Sequence, residues 1–152
     1  MRARTFRRML NVWPPLVGAG ITILEFSDDY THVKARLRMN KLNRNAVGSH
    51  FGGSIYAMTD PFFMLMLLHH LGKDHVVWDK AAEIEFVKPG RGDVFADFHI
   101  TPELVDELRA EAADGGRVLR WLTGEVVNSD GDVVAVVRKQ LYVRRKRENT
   151  AA

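Results

Sequence analysis

Residues 54–71, SIYAMTDPFFMLMLLHHL, leave almost no polar face, because Tyr56, Ala57, Met58, Phe62, Phe63, Met64, Leu65, Met66, Leu67 and Leu68 fall on every side of a helix. A helix that is apolar all round must be buried all round. A bilayer is not the expected surrounding. The longest apolar run, Pro61 to Leu68, is far short of the ~20 residues that a span requires. The rest of the chain therefore has to wrap this segment. Its one acidic residue is Asp60. Pro61, next to it, lacks a backbone donor and clashes with the preceding turn, which predicts a kink.

The material for wrapping is β-structure. Ile21 to Phe26 reads as a strand, followed by the turn residues Ser27, Asp28 and Asp29. From Val33 to Met39 the apolar residues Val33, Ala35, Leu37 and Met39 alternate with Lys34, Arg36 and Arg38, the pattern of a half-buried strand. Strands are also expected over Val76–Lys88 and Val94–Ile100. Two long ones, Val118–Val127 and Val133–Val143, flank the hairpin turn Asn128, Ser129, Asp130, Gly131. Thr101 as N-cap and Pro102 at the first position open a short helix that ends before Gly115 and Gly116. Residues 4–12 suit a short amphipathic helix ended by Pro14 and Pro15.

The expected fold is α+β: an antiparallel sheet wrapped around one long central helix, in a single domain over 1–152. Within it, 1–12 forms an N-terminal helical segment and 144–152 a basic, disordered tail. One sheet covers about half of a helix's circumference. A second copy of the sheet would cover the remainder, so a dimer with a continuous double sheet is expected.

The chain has no cysteine, which removes disulfides, thiolate metal sites and cysteine nucleophiles and suits a cytoplasmic location. The net charge of +3 comes from the two ends, since residues 9–143 carry 14 basic and 18 acidic side chains. An acidic body argues against nucleic acid as a partner. P-loop, nucleophile-elbow and dinucleotide-binding motifs are missing, and His50, His69 and His70 lack metal-ligand spacing, so no metal is expected.

The chemistry concentrates in NAVGSHFGGSIYAMTDP, residues 45–61. Gly52 and Gly53 precede the apolar helix, whose first N–H groups are free to meet an oxyanion; a plain tight turn is the other reading. Asp60 is expensive to bury unless paired or functional, and burial should raise its pKa, as suits a general base. The alternative is that Asp60 caps a second helical segment starting at Pro61. His50 is either a catalytic or an ordinary loop histidine. Met58, Met64 and Met66 either line an adaptable acyl pocket or pack the core.

The segments SHFGGSIYAMTDPF and WDKAAEIEFVKPGRG resemble the hotdog-fold acyl-CoA thioesterases of the phenylacetyl-CoA thioesterase-like group, nearest to its tetrameric branch, over residues 12–145. The resemblance implies hydrolysis of an acyl-CoA with Asp60 as base or nucleophile. It implies an oxyanion hole from the N–H of Gly52 with Gly53, and Asn45 holding the water or the carbonyl. It implies no cofactor beyond the CoA of the substrate, a homodimer or homotetramer, and sites completed by a partner subunit. Asp79 falls where relatives often place serine or threonine. Many relatives have histidine immediately before the Gly pair; here Phe51 stands there, in contact range of substrate, and His50 precedes it. Lys88, Arg91, Arg138 and Lys139 are candidates for the CoA phosphates. Two competing readings are a hotdog hydroxyacyl-thioester dehydratase, suggested by His50 followed by an acidic helix residue, and a non-catalytic acyl-CoA-binding protein.

Overall fold

A computed structural model describes residues 1–146. In chain order it contains α1 (Ala3–Leu10), α2 (Pro14–Ala19), β1 (Ile21–Phe26), β2 (His32–Leu37), α3 (Gly52–Ala57), α4 (Phe62–Leu71), β3 (His75–Phe86), β4 (Val94–His99), α5 (Pro102–Glu111), β5 (Val118–Asn128) and β6 (Val133–Arg145). The six strands form one antiparallel sheet in the order β1-β2-β4-β5-β6-β3. The apolar segment lies against its inner face, as expected of the α+β wrap.

Alternation fixes which side chains turn inward. Val33, Ala35 and Leu37 of β2 and Val94, Ala96 and Phe98 of β4 are buried in a common core with Phe62, Phe63, Met66 and Leu67 of α4. Phe98 is central to this packing. Its ring lies 5.3 Å from that of Phe62 and meets Phe63 edge-on at 5.1 Å. Gly124 on β5 makes room for it, since a Cβ there would sit 2.9 Å from the Phe98 ring.

The apolar segment is not one helix. α3 ends at Ala57 and α4 begins at Phe62, with Met58 to Pro61 as a turn between them. The cause is Pro61, whose ring obstructs the carbonyl four residues back, at Ala57. The kink expected at this proline is a full interruption. Pro14 likewise does more than end α1: it occupies the first turn of α2, which closes on Gly20 at φ 84°. The sequence pattern does not announce this second helix.

The N-terminal helices supply part of the cover that the sequence assigns to a second sheet. Asn11 bonds both ways to the backbone of Ile23, accepting from its N–H at 2.7 Å and donating to its carbonyl at 3.0 Å. The Arg7 guanidinium donates to the Leu24 carbonyl. Phe6 packs on Phe26 and Tyr30. At the other end, Arg144 and Arg145 pair with Val76 and His75 and so belong to β6 rather than to a loose tail; residues 147–152 lie outside those described.

Thr101 caps α5 as expected, its hydroxyl accepting the Leu104 N–H at 3.1 Å. Thr101→Ala should therefore destabilise the protein by about 1 kcal/mol in urea denaturation. No helix among the described residues is long and apolar enough to cross a membrane.

Candidate active site

Asp60 occupies the break between α3 and α4. Its carboxylate does not cap α4, whose N-cap position is Pro61 and has no side-chain cap bond. It reaches instead across to β6, where Oδ1 accepts from Lys139 Nζ at 2.8 Å. The expected burial is also corrected, because the Asp60 side chain is 53% exposed in the single chain. The interruption at Pro61 turns the carboxylate out of the apolar packing.

The buried charge is Lys139. Its side chain is 0% exposed. Inward-facing positions of β6 are Ala135, Val137, Lys139, Leu141 and Val143, so the lysine stands in an otherwise apolar row. A lone ammonium there would be far too expensive, and two carboxylates compensate it: Asp60 at 2.8 Å and Asp79 Oδ2 at 3.1 Å. Tyr56 of α3 completes the group, with its hydroxyl 3.4 Å from Nζ and its ring 5.1 Å away. Lys139 therefore does not face solvent as a phosphate contact would.

Asp79 lies on β3 where an extra residue, Lys80, makes a β-bulge opposite Leu141 and Gln140. Inward positions run His75, Val77, Asp79 before the bulge and Ala82, Ile84, Phe86 after it, as their β6 partners show. Burial pushes the Asp79 carboxyl above the usual value; Lys139 opposes this and the neighbouring Asp60 charge adds to it. Its Oδ1 is buried without a partner among the described residues. The carboxylate that burial makes harder to ionise is thus Asp79, the role that the sequence suggests for Asp60. For Lys139, burial pulls the ammonium down, but its bonds to Asp60 and Asp79 outweigh that and leave it above the usual 10.5.

A second group of the expected residues gathers at the start of α3. Asn45, Ser49, His50, Gly52, Ile55, Phe86, Val87, Lys88, Pro89 and Gly90 line a cleft of about 340 Å³. His50 is 3% exposed, and its Nε2 must carry the proton because it donates to the Gly92 carbonyl at 2.7 Å. Its Nδ1 is buried and without a partner among the described residues. Asn45 is engaged by its own loop: its amide donates to Ser49 Oγ and the His50 carbonyl and accepts from the N–H groups of Val47 and Ser49. In this arrangement it shapes the His50 loop.

The first helical bonds of α3 run from Ser54 and Ile55 to the Phe51 carbonyl, so the N–H groups of Gly52 and Gly53 precede them. The glycine Cα atoms are covered by aromatic rings rather than open. A Cβ on Gly52 would meet the Phe86 ring at 3.0 Å, and one on Gly53 the Phe51 ring at 2.4 Å. Phe51 and Phe86 are both exposed on their other sides.

The remaining candidates are dispersed. Lys88 borders the cleft but pairs with Asp132 at 2.7 Å. Arg91 is exposed. Arg138 points to the outer face of β6, bonded to Glu83 at 2.8 Å and lying over Trp121. His69 stacks on Tyr30, and His70 Nε2 donates to the Tyr30 carbonyl. Met58 and Met66 are core residues, whereas Met64 lines an apolar cavity of about 510 Å³ with Phe6, Trp13, Pro61 and Leu65 among its walls. Among the described residues, His32, Asp97 and His99 are the group whose donor atoms lie close enough for a metal, within 4.8 Å of one another. They sit on strands β2 and β4, and Asp97 is already bonded to His32 at 2.8 Å and faces Lys34 at 3.6 Å.

A six-stranded antiparallel sheet wrapped on an apolar helical segment, here broken into α3 and α4, is the hotdog fold, the fold of the thioesterases of the PaaI-like group. The chain belongs to the family described as "Domain of unknown function (DUF4442)", whose model matches residues 2–143. Among solved structures it is similar to a protein of unknown function from Pseudomonas aeruginosa described as a probable thioesterase, at a TM-score of 0.86 and 18% identity, with 95% of this chain and 97% of that one covered. A thioesterase from Haemophilus influenzae superimposes with a TM-score of 0.71 at 16% identity, covering 99% and 95%. The E. coli PaaI protein from the phenylacetic acid degradation operon follows at 0.62 and 16%, covering 95% and 92%. Among curated proteins, none matches this sequence.

Proposed function

We propose that the protein is an acyl-CoA thioesterase that hydrolyses its substrate to a carboxylic acid and CoA. The observation that carries this reading is Asp60: a half-exposed carboxylate at the break of an apolar helix, held by a buried lysine. As a general base, Asp60 takes a proton from water while the water oxygen adds to the thioester carbon. The N–H groups of Gly52 and Gly53 receive the oxyanion. The C–S bond then breaks, the carboxylic acid is released, and the CoA thiolate takes up the proton. The apolar cavity that Pro61 borders suits the acyl group, and the polar cleft with His50 and Lys88 suits the pantetheine and phosphate end.

In the single chain Asp60 does not line the Gly52 cleft. A second copy supplies the missing proximity in this reading. β3 is an edge strand, as β1 is at the opposite end of the sheet, and among the described residues it pairs on one side only; Trp78 and Phe86 are exposed on it and Val87 just beyond it. A 12-residue open edge is a template for another strand. Two copies related by a two-fold axis would join there and bring one protomer's carboxylate toward the other's glycine turn.

The test is a panel of acyl-CoA thioesters incubated with the protein and a thiol reagent, alongside sedimentation analysis. Free CoA should appear with at least one ester, and the mass should be at least twice the 17.3 kDa of one chain. Binding of acyl-CoA without release of thiol would make the protein a binder. Hydration of an enoyl-CoA in place of hydrolysis would make it a dehydratase.

A further inference from the structure

A cation buried at the centre of a proposed active site, and not among the catalytic residues that the sequence singles out, calls for a role. An ammonium has three N–H donors. Those of Lys139 face three oxygens on three different elements: Asp60 Oδ1 from the turn after α3, Asp79 Oδ2 from β3 and Tyr56 Oη from α3. From β5 the residue opposite Lys139 is Leu122, which carries no charge. The lysine is thus fully committed and cannot reorient toward a ligand. Asp60, by contrast, is held through one oxygen only; Oδ2 makes no hydrogen bond to the described residues, and the side chain is half exposed.

We propose that Lys139 is the positioning residue of Asp60, fixing Oδ1 so that Oδ2 is presented to the reacting water, with Asp79 as the second anchor that holds the ammonium in place. This rests on the thioesterase reading of Asp60. Asp79 is suited to anchoring because it is fixed by the sheet beside the bulge and makes its own contact with the lysine. The three groups also form one electrostatic unit. With both acids ionised the group carries one net negative charge, so removing a member changes how readily the remaining carboxylates hold a proton.

Two substitutions separate positioning from mere support of the fold, because they act in opposite directions. In Lys139→Met the two carboxylates face each other without a cation, so the acid limb of the kcat–pH profile should move to higher pH. The loss of alignment should lower kcat about a hundredfold, with KM changed far less. In Asp79→Asn the whole charge of the ammonium serves Asp60, so the acid limb should move to lower pH. Lys139→Arg should recover part of the lost kcat. If both variants lower the melting temperature but leave the acid limb of the folded enzyme at its wild-type position, Lys139 is a structural residue and the proposal fails.

Should Lys139→Met not fold, the direction of the Asp79→Asn shift decides alone. Carbon-13 carboxyl titrations of Asp60 and Asp79 report the same coupling without any assay. A wild type that cleaves no thioester would defeat the functional reading, whereas Asp60 and Asp79 resonances indifferent to the substitution at 139 would defeat this one.

Discussion

Asp60→Asn should lower kcat for thioester hydrolysis by about a hundred- to ten-thousandfold, the range ascribed to a positioned general base. The substitution is nearly isosteric, and the amide oxygen can still accept from Lys139 Nζ, which lies 2.8 Å from Oδ1 in the native protein. What disappears is the ability to take a proton from water. Asp79 remains to balance the lysine, so the buried cation is not orphaned and the fold should persist. KM should change little, since the carboxylate meets the water rather than the bulk of the substrate. Kinetics by thiol release, with a thermal melt as control for folding, measures both quantities. A wild-type kcat in the Asp60→Asn enzyme would transfer the chemistry to another group, with His50, whose Nδ1 has no partner among the described residues, next in line.

Phe98→Ala should destabilise the protein by about 3–5 kcal/mol. For a domain of this size that is a fall in Tm of roughly 6–20 °C. Phe98 is fully buried and joins the sheet to α4 through Phe62 and Phe63. The space it fills is made for it, because β5 carries Gly124 beside the ring and has no side chain there to fall into the void. The neighbours are held in strand register and cannot close the gap. Phe98→Leu, which leaves a smaller cavity, should lose distinctly less. Equal losses for Leu and Ala would mean that ring stacking on α4, rather than filled volume, carries the stability.

The elements that can be read from the chain are those whose pattern is local. β1 begins and ends where its apolar run does, and the long hairpin turns at Asn128–Gly131 as its residues require. Thr101 and Pro102 mark α5 through a cap that the structure contains. Prolines mislead in both directions, because the same residue can end one helix and begin the next. Pro14 opens α2, and Pro61 splits the apolar segment in two.

The site is legible by half. Asp60 stands out as a lone charge among apolar residues, but its exposure depends on where the break turns it. Lys139 hides because its neighbour Arg138 and the arginines beyond it make the end of β6 look like a basic surface. The available signal is parity. Ala135, Val137, Leu141 and Val143 share one face, and position 139 belongs to it. Asp79 can be suspected but not paired, since the bulge at Lys80 changes the phase of β3 and hides which residues look inward.

The same bulge has a bearing on what the protein avoids. An open strand of this length invites any extended segment to add itself, the first step of uncontrolled polymer growth. An extra residue bends and overtwists the edge, so a flat newcomer cannot run its whole length. Lys80, Glu83 and Glu85 place charge along it as well. Recruitment is thereby restricted to a strand with a matching bend.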